Sequence, residues 1–395
     1  MANSYNNIKA IVATHLTLSS YDMFEVYGQC HSIADFFKDN ARKFIFIRHP
    51  LNGGYNSKAD IFIQDRDCPR MGTVPILKTK RSGVIRYILD FISTVNLVRN
   101  TGEKWDIFIG VNSLNTLAGI VLKKLGYVKY VIFYTSDYVP VRFSNKALNF
   151  IYHLCDRNAL RYSDFVWNIS NRQWIIRKSQ GIPDKKNIYV PHGAYLSKIK
   201  QYPVTDINRY SMVIAANLTS AFNFQLIIDA FKEIVSRVNN AELIIIGTGV
   251  KENEIRMMIE ENQLKNSIHM KGFIKHDNLL DFLPKCGIGL AIYTSINSWT
   301  EFSDSFKVKE YLACGCPVII TSNATAAVEE AQKSNAIIVI NLNKQELVNA
   351  ALKLLTNDEL YWKYRKNAIE FMKNLDWYDL YNERLKFLLD QNGTI

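Results

Sequence analysis

The sequence predicts two α/β domains, each built on a doubly wound parallel sheet. Short runs of β-branched and aromatic residues alternate with longer amphipathic stretches, and strands separated by helices pair in parallel. The chain has 395 residues, 48% of them hydrophobic, so it can bury two cores of similar size. The alternation is interrupted once, by a polar stretch over 197–210. We therefore expect one domain before that stretch and one after it.

Apolar runs predict the strands of both domains. Those of the first domain are IKAIVATHL, KFIFIRHP, WDIFIGV, KYVIFYTSD, DFVWNIS and NIYVPHG. Those of the second are SMVIAANL, AELIIIGTG, SIHMKGFI, GIGLAIYTS, CPVIITS and AIIVINL. The remaining pattern, from Asp358 to Gln391, is helical. We expect an N-terminal domain over 1–198, a C-terminal domain over 199–375, and a terminal helix over 376–395 that packs back on the first domain.

Composition narrows the classes of partner. A formal charge of +11 could attract nucleic acid, anionic lipid or phosphorylated ligands, but no RNP-like, KH-like or zinc-finger pattern is present. We therefore expect no nucleic-acid partner. The six cysteines show no zinc-type spacing, which favours reduced thiols. Because neither a signal peptide nor a long uncharged apolar run is present, we expect a cytoplasmic protein, with a peripheral place on the inner face of the plasma membrane left open.

The most informative segment is EFSDSFKVKEYLACGCPVIITS, over Glu301–Ser322. Ser303 and Asp304 are good N-cap residues for a helix that runs through Lys307 and Glu310. These last two residues share one helix face near its positive end. A lysine there suits phosphate oxygens, and an acidic residue suits the hydroxyls of a ribose. The spacing predicts a nucleotide site, although a capped helix with an exposed ion pair would show it too.

The same segment resembles the donor-domain signature of bacterial GT-B glycosyltransferases, K-x-x-E-Y-L/M-A-C/A-G-x-P-V-I. The matching residues are Lys307, Glu310, Tyr311, Leu312, Ala313, Cys314, Gly315, Pro317, Val318 and Ile319. The resemblance covers residues 210–390 well and the first half in outline. It implies the GT-B fold, with two Rossmann-like doubly wound parallel-sheet domains facing a central cleft. It also implies a nucleotide-sugar donor, with UDP favoured.

This resemblance implies a set of donor-binding residues and shows departures from the family pattern. The implied residues are Gly247, Gly249, Phe273, Ile274, Tyr293, Ser305, Phe306, Lys307 and Glu310. Asn217 and Phe222 stand where many relatives have the Arg and Lys that grip the diphosphate. Phe302 replaces the first glutamate of the family, with Glu301 and Asp304 beside it. These departures favour an outlying branch, nearer the exopolysaccharide glucuronosyltransferases, and a retaining mechanism is not implied.

The first domain should supply the acceptor site and, for an inverting transfer, a base. Asp137 follows a predicted strand in VIFYTSDYVPVRF, with Pro140 and Arg142 nearby, and is the best candidate. A turn cap is its alternative role. His15 and Asp22, in IVATHLTLSSYD, are second candidates. A histidine at a strand end is more often a structural residue.

The stretch LKTKRSGVIRYILDFISTVNLVRN, over Leu77–Asn100, predicts a basic amphipathic helix. Its apolar residues at helical spacing are Ile85, Ile88, Leu89, Ile92 and Val95. The basic residues at its start are Lys78, Lys80, Arg81 and Arg86. Such a helix could rest on anionic lipid and present a lipid-linked acceptor. A core helix with a solvated basic end is the alternative.

Together these features predict a glycosyltransferase of the hexosyltransferase class that transfers a sugar from a nucleotide donor to a glycan or lipid-linked acceptor. Its role would lie in the synthesis of cell-surface polysaccharide or glycoconjugate. We expect no metal and no cofactor, since no DxD-type carboxylate pair is present in a suitable loop. A nucleotide-sugar epimerase and a non-catalytic nucleotide-sugar-binding protein on the same fold are the alternatives. The sugar, the acceptor and the stereochemical outcome stay open.

Overall fold

The chain divides into two compact units. The computed structural model describes residues 5–16, 25–51, 56–64, 70–79, 83–294, 298–324, 328–329 and 331–390. The first unit contains the described residues up to Pro191 and those from Tyr378 onwards. The second unit runs from His192 to Trp377. These divisions fall within a few residues of the domain limits that the sequence predicts, 198/199 and 375/376.

The first unit is built on an eight-stranded sheet in the order β4-β3-β2-β1-β5-β6-β7-β8. Its strands are β1 Lys9–Leu16, β2 Lys43–Pro50, β3 Ser57–Ile63, β4 Arg70–Leu77, β5 Trp105–Val111, β6 Val128–Thr135, β7 Phe165–Asn168 and β8 Asn187–Tyr189. The six predicted strands are β1, β2 and β5 to β8, and they pair in parallel. Strands β3 and β4 are additional and antiparallel, because their connections are too short for a helical crossover.

Helices cover the first sheet and include the end of the chain. They are α1 Gln29–Asn40, α2 Gly83–Asn100, α3 Ser113–Lys124, α4 Lys146–Tyr162 and α5 Asn171–Ser179, with α13 Trp377–Leu385 and α14 Phe387–Asp390 at the C-terminal end. The hydroxyl of Tyr381, on α13, lies 2.7 Å from Ser32 Oγ, and its ring stacks on Trp167. These contacts place the last helices in the first unit.

The second unit has a fully parallel sheet in the order β11-β10-β9-β12-β13-β14. Its strands are β9 Asn208–Ala215, β10 Glu242–Ile246, β11 Ile268–Gly272, β12 Cys286–Ala291, β13 Val318–Thr321 and β14 Ile337–Ile340. Its helices are α6 Phe224–Arg237, α7 Glu252–Glu261, α8 His276–Phe282, α9 Ser298–Phe302, α10 Phe306–Ala313, α11 Lys344–Leu355 and α12 Asp358–Met372. Strand order reverses between β9 and β12, so the loops that follow them form a ligand crevice.

Helix α2 turns polar side chains inward and leaves part of its apolar stripe exposed. Arg86 and Asp90 are buried, and the Arg86 guanidinium donates to both carboxylate oxygens of Asp90. The carboxylate also accepts a hydrogen bond from Ser57 Oγ on β3. The exposed side chains of the helix include Val84, Ile85, Ile88 and Ile92. Arg86 therefore cannot serve as the surface contact for lipid that the sequence predicts.

The sequence assigns three other basic residues to that lipid contact. Lys78 is exposed, while Lys80 and Arg81 lie outside the described residues. Within the described parts of the chain, no helix combines the length and the apolar character that crossing a membrane requires.

Candidate functional site

A cavity of about 240 Å³ lies in the second unit, beside the loops that follow β9 and β12. The residues that line it include Asn217, Phe222, Tyr293, Ser305, Phe306 and Lys307. It thus occupies the place where the strand order reverses, which is the usual ligand position in an open α/β sheet.

The start of helix α10 forms one wall of this cavity. Ser305 is its N-cap, and its Oγ accepts a hydrogen bond from the Val308 backbone N–H at 3.4 Å. The hydroxyl of Tyr293 lies 3.0 Å from the same Oγ and fixes the cap from the β12 side. The first turn of a helix has backbone N–H groups without intrahelical partners and carries the positive end of the helix dipole. This wall is therefore suited to an anionic ligand.

The helix begins one or two residues later than the sequence predicts, because Asp304 has another role. Asp304 Oδ2 accepts a hydrogen bond from the His192 backbone N–H at 3.0 Å and lies 3.6 Å from Lys309 Nζ. Both side chains of this ion pair are buried. The pair fixes the segment Ser303–Ser305, which borders the cavity, to the body of the second unit.

Glu310 connects two basic side chains. Its Oε2 lies 3.1 Å from Lys307 Nζ, and its Oε1 is hydrogen bonded to Nε2 of His276, the first residue of α8. Glu310 is almost fully buried. Burial acts to raise the pKa of this carboxyl, but the nearby Lys307 ammonium and His276 outweigh it and lower the pKa. The carboxylate is therefore ionised; it lies outside the described cavity lining and is connected to it through Lys307.

An aromatic wall lies beside the start of α10. The ring of Phe306 lies 5.5 Å from the ring of His192 and 6.4 Å from that of Trp377, which it stacks on. Burial, and next the charge of Lys309, lower the pKa of His192 to about 3. This imidazole is therefore neutral at physiological pH.

Residues 197–371 match the family model described as glycosyl transferases group 1. The match covers most of the second unit. It includes the N-terminus of α10, Lys307 and Glu310.

Two curated relatives are similar to part of the chain. The poly(glycerol-phosphate) alpha-glucosyltransferase of Bacillus subtilis is 24% identical over 188 residues, which are 46% of this chain and 26% of that protein. The N-acetylgalactosamine-N,N'-diacetylbacillosaminyl-diphospho-undecaprenol 4-alpha-N-acetylgalactosaminyltransferase of Campylobacter jejuni is 25% identical over 197 residues, 49% of this chain and 51% of that protein. The chain thus spans about a quarter and about half of these relatives.

Solved structures are similar to nearly the whole chain. Anabaena Alr3699/HepE in complex with UDP has a TM-score of 0.67 at 14% identity, covering 97% of this chain and 100% of that one. The sucrose-phosphate synthase of Thermosynechococcus elongatus has a TM-score of 0.71 at 13% identity, covering 98% of each chain. The predicted GT-B fold is confirmed, with the two antiparallel strands of the first unit as an addition.

Gly247 and Gly249 shape the second unit from outside the cavity lining. Gly247 has φ +128°, and a Cβ there would lie 1.9 Å from the Ala216 carbonyl oxygen. A Cβ at Gly249 would lie 2.4 Å from the Leu218 carbonyl oxygen. These glycines let the loop after β10 approach the loop after β9, which borders the cavity. Phe273 and Ile274, between β11 and α8, are partly exposed and also lie outside the lining.

The structure thus groups five of the predicted donor-binding residues. They are Tyr293, Ser305, Phe306, Lys307 and Glu310. At the position where the resemblance implies a diphosphate-gripping lysine, the ring of Phe222 packs 4.9 Å from that of Tyr293. Among the described residues that line the cavity, Lys307 is the one with a basic side chain. The sequence interpretation missed His276, whose contact with Glu310 joins positions 34 residues apart.

Asp137 lies in the loop after β6 in the first unit. The Asn112 side chain accepts hydrogen bonds from the backbone N–H groups of Ser136 and Asp137, which holds this loop. Burial raises the pKa of the Asp137 carboxyl, and Arg142 opposes this shift. Among the described residues its carboxylate accepts no hydrogen bond, so the turn-cap alternative gains no support from the geometry.

His15 lies beside Asp90 and Asn115. Its Nε2 lies 3.4 Å from Asp90 Oδ2, and its Nδ1 lies 3.0 Å from the Asn115 side-chain nitrogen. Burial lowers the pKa of this imidazole, and His49 also lowers it. These contacts favour a structural role for His15. Asp22 lies outside the described residues.

Proposed function

We propose that the chain is a glycosyltransferase of the hexosyltransferase class. Its donor is a nucleoside diphosphate sugar, with a UDP-sugar favoured, and its acceptor is a glycan or a lipid-linked molecule. The observation that carries the proposal is the N-terminus of α10 beside the cavity, with Lys307 and the buried Glu310 on its first two turns. It lies in a domain that matches the group 1 glycosyl transferases.

The proposed roles follow from charge. The diphosphate lies at the start of α10, where the Ser305 hydroxyl, the backbone N–H groups and the Lys307 ammonium face the cavity. Glu310 accepts hydrogen bonds from the ribose hydroxyls while His276 holds its other oxygen. Because the helix dipole and Lys307 together offset the charge of the leaving diphosphate, the transfer needs no divalent metal.

The acceptor class is supported by what the relatives' names say of those proteins. One of them glucosylates poly(glycerol-phosphate), and the other acts on a diphospho-undecaprenol-linked glycan. A role for this chain in the synthesis of cell-surface polysaccharide or glycoconjugate fits both names. Asp137 of the first unit is the proposed base that takes the proton of the acceptor hydroxyl in an inverting transfer.

A screen of nucleotide sugars tests the proposal in two steps. The first step measures thermal stabilisation, because a ligand at 100 times its dissociation constant adds about 2.7 kcal/mol to the stability of the state that binds it. We expect UDP and a UDP-sugar to stabilise the wild-type chain and to stabilise Lys307→Ala much less. No stabilisation by any nucleoside diphosphate would refute the donor site.

The second step incubates the best donor with and without glycan and lipid-linked acceptors. A transferase releases the nucleotide and glycosylates an acceptor. Conversion of the donor alone into its epimer would indicate an epimerase instead. Tight binding with no turnover across a broad acceptor panel would indicate a binding protein.

A further inference from the structure

The buried residues of helix α4 lie in its C-terminal half. Its buried residues are Asp156, Ala159 and Leu160. Its N-terminal half instead projects large apolar side chains, since Phe150 is 60% exposed and Ile151 is 50% exposed. Leu154, one turn beyond Phe150, is exposed as well. Clustered exposed apolar side chains of this kind mark an interaction surface.

The loop before α4 extends this apolar cluster and is held against the helix. The Asn149 side chain accepts a hydrogen bond from the Arg142 backbone N–H at 2.9 Å, and His153 Nε2 lies 2.8 Å from the Pro140 carbonyl oxygen. Two further exposed apolar residues, Val141 and Phe143, lie in this loop. We call the five residues the α4 face: Val141, Phe143, Phe150, Ile151 and Leu154.

The charges around the α4 face all have one sign. Between Pro140 and Tyr162 the exposed charged residues are Arg142, Lys146, Arg157 and Arg161. The acidic residue of this stretch, Asp156, is buried in a two-bond ion pair with Arg177, at 2.6 and 2.9 Å. The exposed charges of this stretch are therefore all positive, which is complementary to an anionic partner.

Sequence spacing puts apolar and basic residues on one stripe of the helix. Lys146, Phe150, Leu154, Arg157 and Arg161 follow one another at intervals of three or four residues. Cations thus flank an apolar centre along the helix axis. This arrangement is typical of helices that lie in the plane of a membrane surface, with the apolar centre below the headgroups and the cations among them.

We propose that the α4 face binds the surface of an anionic lipid bilayer. Phe150, Ile151 and Leu154 enter the boundary between headgroups and acyl chains, and the four basic residues contact anionic headgroups. Helix α2 also exposes aliphatic side chains, but its Arg86 is turned inward. Helix α4 exposes both apolar and basic side chains. Binding to the bilayer does not depend on the donor chemistry.

One consequence rests on the proposed function. The α4 face follows the loop that carries Asp137 by only a few residues, and Tyr152 of α4 donates a hydrogen bond to the Asp137 carbonyl oxygen at 3.4 Å. A bilayer contact at α4 would therefore hold that loop close to the membrane surface, where the headgroup of a lipid-linked acceptor lies.

Vesicle flotation of the full chain tests the bilayer contact. The vesicles consist of phosphatidylcholine alone or of phosphatidylcholine mixed with phosphatidylglycerol, and no nucleotide is added. We expect the wild type to float with the anionic vesicles. Phe150→Ser combined with Leu154→Ser should lower the partition coefficient by about tenfold or more. Arg157→Ser combined with Arg161→Ser should lower it about fivefold per charge and weaken the preference for anionic vesicles.

Matched controls remove similar groups from the second unit. Val250→Ser with Met257→Ser removes two exposed apolar side chains, and Lys363→Ser with Lys366→Ser removes two exposed cations. All variants are checked for unchanged melting temperature. A wild type that does not float, or controls that lose as much binding as the α4 variants, would overturn the proposal. A dimer in light scattering that Phe150→Ser with Leu154→Ser dissociates, without any vesicle binding, would assign the face to a second copy instead.

Discussion

The Lys307 ammonium lies 3.1 Å from Glu310 Oε2, so the two side chains proposed to hold the phosphate and the ribose bind each other. A diphosphate at the start of α10 would compete with Glu310 for Lys307. Movement of Lys307 to the phosphate would leave Oε2 available to a ribose hydroxyl, while His276 still holds Oε1. We infer that recognition of phosphate and of ribose is coupled through this ion pair.

The first prediction concerns the coupling. Lys307→Ala should weaken UDP binding by about tenfold or more, because a hydrogen bond to a charged group contributes about 1.5–3 kcal/mol. The same change should leave uridine affinity unchanged or improved, since Oε2 no longer has a competing partner. Glu310→Gln should weaken both ligands. Calorimetry measures each affinity, and Lys363→Ala, an exposed lysine on α12, is the control.

Equal losses of UDP and uridine affinity in Lys307→Ala would show that Lys307 supports binding of the nucleoside part rather than of the diphosphate, which would contradict the proposed coupling. Unchanged UDP affinity in both Lys307→Ala and Glu310→Gln would remove the donor site from this cavity.

A second prediction concerns the buried pair of Asp304 and Lys309. Lys309→Met keeps most of the side-chain volume but leaves the Asp304 carboxylate buried without its cation. The free energy of unfolding should fall by about 3 kcal/mol, and Asp304→Asn in the same chain should restore part of it. Urea titration measures both changes. If the double variant is as unstable as the sum of the two single variants, the residues do not stabilise each other.

A third prediction follows from the depressed pKa of His192. Burial and Lys309 lower this pKa to about 3, so below about pH 6.5 the unfolded chain binds a proton that the folded chain does not. Stability therefore falls as the pH decreases from about 6.5 towards 3. His192→Phe keeps a ring against Phe306 and Trp377 but removes the titration. Between pH 7 and 5 the wild type should lose about 2 kcal/mol more than this variant. Equal pH slopes in calorimetric melting would contradict the prediction.

Local sequence patterns predicted the site where the partners are near in the chain. Lys307 and Glu310 are three residues apart, so helical spacing alone places them together. The contact between His276 and Glu310 depends instead on how the loop between β11 and α8 returns to α10, and no local pattern indicates it. The predicted start of α10 is one or two residues early because Ser303 and Asp304 are as good N-cap residues as Ser305.

Helix α2 shows why the pattern of the first unit was harder to interpret. Its sequence has an apolar stripe and a polar stripe, and periodicity alone does not say which one is buried. Asp90 points inward because Ser57 of β3 and His49 of β2 offer it hydrogen-bonding partners there. Strand β3 belongs to the antiparallel addition that the sequence did not predict. Without that strand, a lipid-facing and a core-facing apolar stripe stayed equally open.

A fourth prediction is that transfer continues in the presence of a chelator. The positive end of α10 and Lys307 are proposed to offset the charge of the leaving diphosphate without a metal ion. The rate with EDTA should therefore stay within about twofold of the rate with magnesium or manganese. Loss of activity in EDTA that manganese restores would contradict metal independence. Lys307→Ala should lower kcat at saturating donor in either condition.

The last prediction assigns proton removal to Asp137. Burial raises the pKa of this carboxyl towards the range in which a base works well at neutral pH, and Asn112 fixes its loop. Asp137→Asn keeps the shape of the side chain but cannot accept the proton. It should lower kcat by at least about 100-fold, leave the melting temperature unchanged, and leave donor affinity nearly unchanged.

The anomeric configuration of the product, read by NMR, completes the test of Asp137. A base that deprotonates the acceptor while it attacks from the opposite face gives an inverted product. With retention, the leaving phosphate can take the proton, and Asp137→Asn would then keep its turnover. An inverted product together with more than about a tenth of wild-type turnover in Asp137→Asn would exclude Asp137 as the base. A lower melting temperature in this variant would instead favour a structural role in the loop after β6.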